Sequence, residues 1–235
     1  MAAVTLAKLR ARARELADAV GSTAVSDTAD SVDAWINEGA QKLHDKLVQA
    51  YAEDYVEKTA ALTTVANQTD YALPADFYQL LGVGLPFSSQ MKPLKRYNRA
   101  ERYAFKNQPV TLSRFNIPRY KLSAGVIRLL PAPSAVLVGE IVYSPVLQVT
   151  KGDASIINLL VDATDSVNFP NGWERYVNIY TALKIKTKQE EDTAALAMQL
   201  KAEDDALAVL IDNRDASEPV SAVDLDQADY DPEEL

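Results

Sequence analysis

The side chains with the widest chemical repertoire in this sequence are few and scattered. One histidine, His44, stands beside Asp45 in a chain that has no cysteine. A histidine next to a carboxylate is part of a nucleophilic triad only if an exposed nucleophile sits on a sharp turn within its reach. No G-x-S-x-G elbow occurs, so His44 reads as an ordinary surface or subunit-contact histidine on the shoulder of an apolar helix stripe. A lone histidine without cysteine also leaves too few ligands for zinc. Glu38, Asp45, Glu53, Asp54 and Glu57 lie close together in sequence. Glycoside hydrolysis needs two carboxyl groups about 5 to 10 Å apart across a cleft, one of them desolvated. Here the acids alternate with Lys42, Lys46 and Lys58, the pattern of a solvated helix face.

Two further motifs fall short of a site. Gly82-Val83-Gly84 lacks the third glycine of a dinucleotide loop and runs into Leu85-Pro86, which cannot open a phosphate-binding helix; it reads as a turn. Asp224, Asp226, Asp229 and Asp231 have near-calcium spacing, but Ala228 takes a ligand position and Asp229 stands where the loop glycine belongs. No cofactor is expected.

Charge is more informative. The formal net charge is -9, yet Lys92, Lys95, Arg96, Arg99, Arg102, Lys106, Arg114, Arg119, Lys121 and Arg128 face a single acid, Glu101, between positions 92 and 128. From Asp215 onward there are eight acids and no base. A positive middle and a negative tail favour contacts with a neighbouring copy or another partner. The candidate interface residues are therefore Lys92, Lys95, Arg96, Arg99, Arg102, Lys106, Arg119 and Lys121, together with Asp224, Asp226, Asp229, Asp231, Glu233 and Glu234. Tyr97, Tyr103, Phe105, Phe115 and Tyr120 among the cations also suit a nucleic-acid surface, although strand alternation would turn several of these rings into a core.

The elements that must carry these groups follow from periodicity. Leu6, Leu9, Ala13, Leu16 and Val20 predict an amphipathic helix ended by Gly21. Asp30 and Ser31 cap a second, with Trp35, Ile36, Ala40, Leu43, Leu47 and Tyr51 on its stripe and an end near Tyr55. The period then shortens. EKTAALTTVA, DYALP, QLLGVGL, KPLKRY, PRYKLS, VIRLLP and VLVGEIVY read as strands, with turns at Asn67-Gln68-Thr69 and Ser123-Ala124-Gly125. Asn98 and Glu101 have capping-box spacing for a short helix. After Phe169-Pro170-Asn171-Gly172 the helical period returns. Trp173, Tyr176, Val177, Tyr180 and Leu183 form one face; Leu196, Leu200, Leu207, Leu210 and Ile211 form another, with residues 189–192 as a hairpin corner or a bend.

Helix stripes bury against one another, so the expected fold is α+β: an antiparallel helical bundle of two N-terminal and two C-terminal helices, an inserted small antiparallel β unit, and a disordered or extended acidic tail. The segments are 1–55, 56–150, 151–213 and 214–235. No apolar run approaches the roughly 20 residues of a membrane span. Absence of cysteine and of a signal-like start predicts assembly in a cytosol.

Several short motifs follow one another along the chain: Val32-Asp33-Ala34-Trp35-Ile36-Asn37-Glu38-Gly39, Thr69-Asp70-Tyr71-Ala72-Leu73-Pro74-Ala75-Asp76-Phe77, Pro118-Arg119-Tyr120, Gly125-Val126-Ile127-Arg128-Leu129-Leu130-Pro131-Ala132-Pro133, Ile141-Val142-Tyr143 and Phe169-Pro170-Asn171-Gly172-Trp173. Their order resembles the phage head-to-tail adaptors, also called tail accessory or head completion factors. The resemblance covers residues 5 to 213. It implies a non-enzymatic virion protein of the neck: a homo-oligomeric ring, usually of twelve copies, docked beneath the portal protein. Such a ring extends the DNA channel without sequence-specific binding and presents a platform to downstream tail or nozzle proteins. It implies no membrane partner, and the family has no catalytic residues to carry over. The alternatives are a virion-associated peptidoglycan hydrolase, a DNA-binding accessory protein, and another neck or tail component.

Overall fold

The computed structural model describes residues 3–21, 25, 31–51, 55–87, 90–99, 102 and 118–217, with only the backbone described at 171 and 211–217. Four helices carry the apolar stripes: α1 (Leu6–Leu16), α2 (Val32–Tyr51), α3 (Glu174–Lys188) and α4 (Ala194–Ser217). Thr5 caps α1 by accepting a hydrogen bond from the Lys8 amide at 3.4 Å. The helix stops at Leu16, before Gly21, because Asp18 turns into the left-handed region at φ 54°. A left-handed Glu190, φ 58°, breaks the chain between α3 and α4, so residues 189–192 are a hairpin corner.

The described strands are β1 (Val4–Thr5), β2 (Lys58–Thr63), β3 (Asp70–Ala72), β4 (Phe77–Phe87), β5 (Gln90–Pro93), β6 (Arg119–Ser123), β7 (Val126–Leu130), β8 (Val138–Pro145), β9 (Val149–Thr150), β10 (Ile156–Ile157) and β11 (Ser166–Val167). They form three antiparallel sheets of order β2-β8-β4-β5, β3-β7-β6 and β1-β11-β9-β10. The β6–β7 hairpin closes through Ala124 and Gly125, both left-handed at φ 46° and 79°, the geometry that matches strand twist in a two-residue turn.

Two cores result. The first two sheets enclose Leu62, Tyr71, Val83, Leu85, Leu94, Ile127, Leu129, Ile141 and Tyr143. The helices enclose Leu6, Leu9, Ile36, Leu43, Leu47, Val177, Ile179, Ile185 and Leu207, and the third sheet adds Val149 and Val167 to the same core. Each fully buried Leu or Ile contributes roughly 1.5–3 kcal/mol of transfer free energy. Gly39 on α2 leaves room for Tyr180 of α3, because a Cβ there would lie 2.9 Å from Cδ1 of that ring.

The expected helical bundle with a small β insert is not the fold. Eleven strands in three sheets stand against four helices among the described residues, and β1, β9, β10 and β11 place a sheet within the helical core itself. Strands of two residues have no readable alternation, which is why the sequence pattern missed them. Gly82-Val83-Gly84 is likewise no turn but the middle of β4, where the ladder to β8 slips between Leu80 and Gly82. Gly139 of β8 lies against this stretch, where a Cβ would collide with the Gly84 carbonyl and the Leu85 side chain. The helix expected from Asn98 to Glu101 and the acidic tail lie outside the described residues, wholly or in large part.

Candidate interaction surface

The groups that sequence suggested for catalysis are placed as structural ties. His44 is buried, 2 % exposed, not a surface or subunit-contact residue. Its Nε2 lies 3.2 Å from the Pro145 carbonyl, and the Tyr55 and Tyr78 rings stand 5.5 and 5.3 Å away, centre to centre. It therefore sits at the seam between α2 and the end of β8, and burial lowers its pKa. Nδ1 has no hydrogen-bond partner among the described residues. Asp45 instead accepts from the Tyr78 hydroxyl at 2.7 Å and from Gln41 at 3.0 Å.

Glu38 accepts from the Tyr180 hydroxyl at 2.6 Å and from Lys42 at 2.9 Å, and these bonds hold its carboxyl below the usual range. A general acid for glycoside hydrolysis needs the opposite shift. Glu57 has no described acidic partner in a cleft, and Glu53 and Asp54 lie outside the described residues. The cleft between α1, α3 and α4, about 420 Å³, is lined by Arg12, Glu15, Leu16, Glu174, Arg175, Asn178 and Gln199. Two of its guanidinium groups face carboxylates, Arg12 to Glu174 at 3.8 Å and Arg175 to Glu203 at 3.2 Å.

The cations do converge. After β5 the chain runs from the edge of one sheet to the edge of the other. There the Tyr97 amide donates to the Tyr120 carbonyl and the Tyr120 amide to the Lys95 carbonyl, both at 3.0 Å. Arg96 forms a parallel bridge with Tyr120. This pairing sets Lys95 and Arg96 beside Arg119 and Lys121, with half-exposed Lys92 just upstream on β5 and exposed Arg99 just downstream. Arg102, also exposed, is close enough to oppose the upward shift that burial imposes on Tyr97. The rings interleaved with these cations point inward where they are described: Tyr97 is 3 % exposed and Tyr120 packs against the sandwich core. Lys106, Asp224, Asp226, Asp229, Asp231, Glu233 and Glu234 lie outside the described residues.

Arg128 is removed from this group by a two-pronged bond to Asp70. Sequence offered no sign of it, since the partners are 58 positions apart. The outcome is a cationic ridge of backbone-paired edge segments, and no group of metal-ligating side chains occurs among the described residues.

The family model of the SU10 adaptor protein matches residues 4–223. The chain belongs to the SU10 adaptor protein family. It is accordingly a structural phage protein, a component of the virion that contacts other head or tail components. No curated protein matches the chain. Among the described residues no helix is long and apolar enough to cross a membrane.

For this adaptor-family chain, the short motifs prove to be staples of the fold. In the first, Asp33 holds Arg10 through two bonds of 2.7 Å, Asn37 clasps the Leu160 backbone through both its amide groups at 2.8 and 2.9 Å, and Glu38 and Gly39 seat Tyr180. In the second, Asp70 binds Arg128 and the Tyr71 hydroxyl ties residues 65 and 68. Asp76 joins Lys58 at 2.8 Å and Tyr143 at 2.7 Å, and Phe77 stacks on Tyr143. Conspicuous residues thus serve the scaffold, and the surface is left to charge.

Proposed function

We propose that this chain is the head-to-tail adaptor of a tailed phage neck, acting as a ring of twelve copies beneath the portal. The ring extends the DNA channel and offers a platform to downstream tail or nozzle proteins. Residues 56–150 act in it as a unit of their own, joined to the helical segments before and after; the separate core of the two larger sheets, from Leu62 to Tyr143, supports such a unit, while Leu147 and Val149 pack with the helices.

The observation that carries the reading is the family match over residues 4–223, joined to a cationic ridge on a protein of net charge -9. Ring closure uses heterologous contacts, in which one patch meets a different patch of the next copy. Lys92, Lys95, Arg96, Arg99, Arg102, Lys106, Arg119 and Lys121 are one such patch, and the tail acids Asp224, Asp226, Asp229, Asp231, Glu233 and Glu234 are its complement, on a neighbouring copy or on the portal. An acidic ring suits a channel through which DNA slides, because each phosphate contact adds affinity through counterion release. DNA therefore passes without sequence-specific binding. The inward-facing rings of the ridge also favour an acidic protein partner over stacked bases.

Negative-stain imaging of the protein mixed with its cognate portal tests the reading. A ring of added density under the portal is expected, and it is lost when Arg96 and Lys121 are both changed to Glu. Portal particles that stay bare with the unaltered protein refute it.

A further inference from the structure

We propose that β2 is a strand-addition edge, at which a second copy of this chain pairs antiparallel about a two-fold axis centred near Ala61. This contact needs neither portal nor ring, and so goes beyond the adaptor reading.

The larger four-stranded sheet has two edges of opposite character. At one, β5 is short, carries Lys92 and Pro93, and leads directly into the segment that pairs with β6. Proline, lysine and a covering segment are the usual devices that stop a sheet edge from recruiting another chain. At the other edge, β2 has no proline and, among the described residues, no covering segment, and its one lysine, Lys58, is held by Asp76 at 2.8 Å. It pairs with β8 in an unbroken register of six residues, Lys58↔Tyr143 through Thr63↔Val138, with no bulge and no proline. An edge strand turns alternate amide and carbonyl groups outward. Among the described residues no backbone hydrogen bond reaches that outer side of β2.

Charge selects the occupant. A two-fold contact sets each residue against its own neighbourhood in the other copy. The β5 edge, with Lys92 and the ridge beyond, would meet its own positive charge. The β2 edge meets Thr59, Ala61 and Thr63, all uncharged and exposed, while Lys58 is already tied to Asp76 at 2.8 Å. In an antiparallel register centred on Ala61, Thr59 faces Thr63 of the second copy, a favourable cross-strand pair. Apolar surface lies at the same end of the strand: Val65, Val136 and Val138 are 48, 65 and 64 % exposed. Val138 is the ladder partner of Thr63, so pairing at β2 brings this patch toward the second copy.

The test uses the full chain in solution. The outward-facing β2 amides, those of Thr59, Ala61 and Thr63, should exchange about tenfold more slowly at millimolar than at micromolar concentration, as expected for amides protected by an added strand. Because the chain has no cysteine, Ala61→Cys reports the contact directly: it should give a disulfide dimer under mild oxidation, whereas Ala202→Cys, exposed on α4, should not. Ala61→Lys should abolish the concentration dependence with an unchanged melting temperature; Thr59→Lys combined with Thr63→Lys is the second variant if the first fails to fold. Exchange at β2 that is indifferent to concentration, or that stays protected in the lysine variants, overturns the proposal. Because these variants leave Arg96 and Lys121 intact, ring formation on the portal reports separately on the adaptor reading.

Discussion

Asp70 and Arg128 are direct cross-strand partners on β3 and β7, joined by two bonds of 2.6 and 2.7 Å. The fork geometry holds the arginine in one orientation and the Asp70 carboxyl below its usual range. Both side chains are about a third exposed, so solvent screening limits the value of the pair. Arg128→Ala should cost under about 1 kcal/mol. The lowered carboxyl pKa fixes the sign with pH. The contribution is present above the ordinary aspartate value of 3.8 and is lost as pH falls through the depressed value. Urea titrations of the two proteins at neutral and strongly acidic pH should differ at the first and converge at the second.

Gly39 of α2 packs under the Tyr180 ring of α3, where a Cβ would lie 2.9 Å from Cδ1. The ring cannot simply step aside, because its hydroxyl donates to Glu38 and accepts from Lys42 at 2.8 Å. Gly39→Leu should therefore destabilise the protein by about 1–3 kcal/mol through overpacking. Thermal denaturation should show part of that loss recovered when Tyr180 is also changed to Ala.

His44 links stability to mild acid. Burial between Tyr55 and Tyr78 lowers its pKa from the ordinary 6.5, against the smaller upward pull of Asp45 and the Pro145 carbonyl. Below 6.5 the unfolded chain takes up a proton that the folded chain refuses, so stability is full above that pH and declines as pH falls toward the depressed value. Chemical denaturation between neutral pH and pH 5 should show this decline, and His44→Phe should flatten it. A wild-type curve level across that window would contradict the assignment.

Removal of residues 218–235, an acidic stretch of low apolar content, should leave secondary structure and melting temperature unchanged. Portal binding in a pull-down should weaken markedly. Full binding by the truncated chain would discard the tail as a docking element.

Without portal, the free protein should be monomeric or weakly associated, as read by light scattering at micromolar concentration. A stable dodecamer under those conditions would show that ring assembly does not wait for its template.

The sequence by itself determined the presence of four helices, the approximate place of most strands in the two larger sheets, the split between a cationic middle and an acidic tail, and the family resemblance. These are local or additive properties, set by side-chain period, turn residues and charge, and they survive any arrangement of the chain in space. Tertiary structure alone decided the rest. It put two-residue strands into the helical core, buried His44 under tyrosines from two other segments, and drew Arg128 away from the ridge toward Asp70. It also left the outer side of β2 without a backbone partner among the described residues. Each of these depends on segments far apart in sequence meeting at one place, and no local pattern records which partner a residue will meet there.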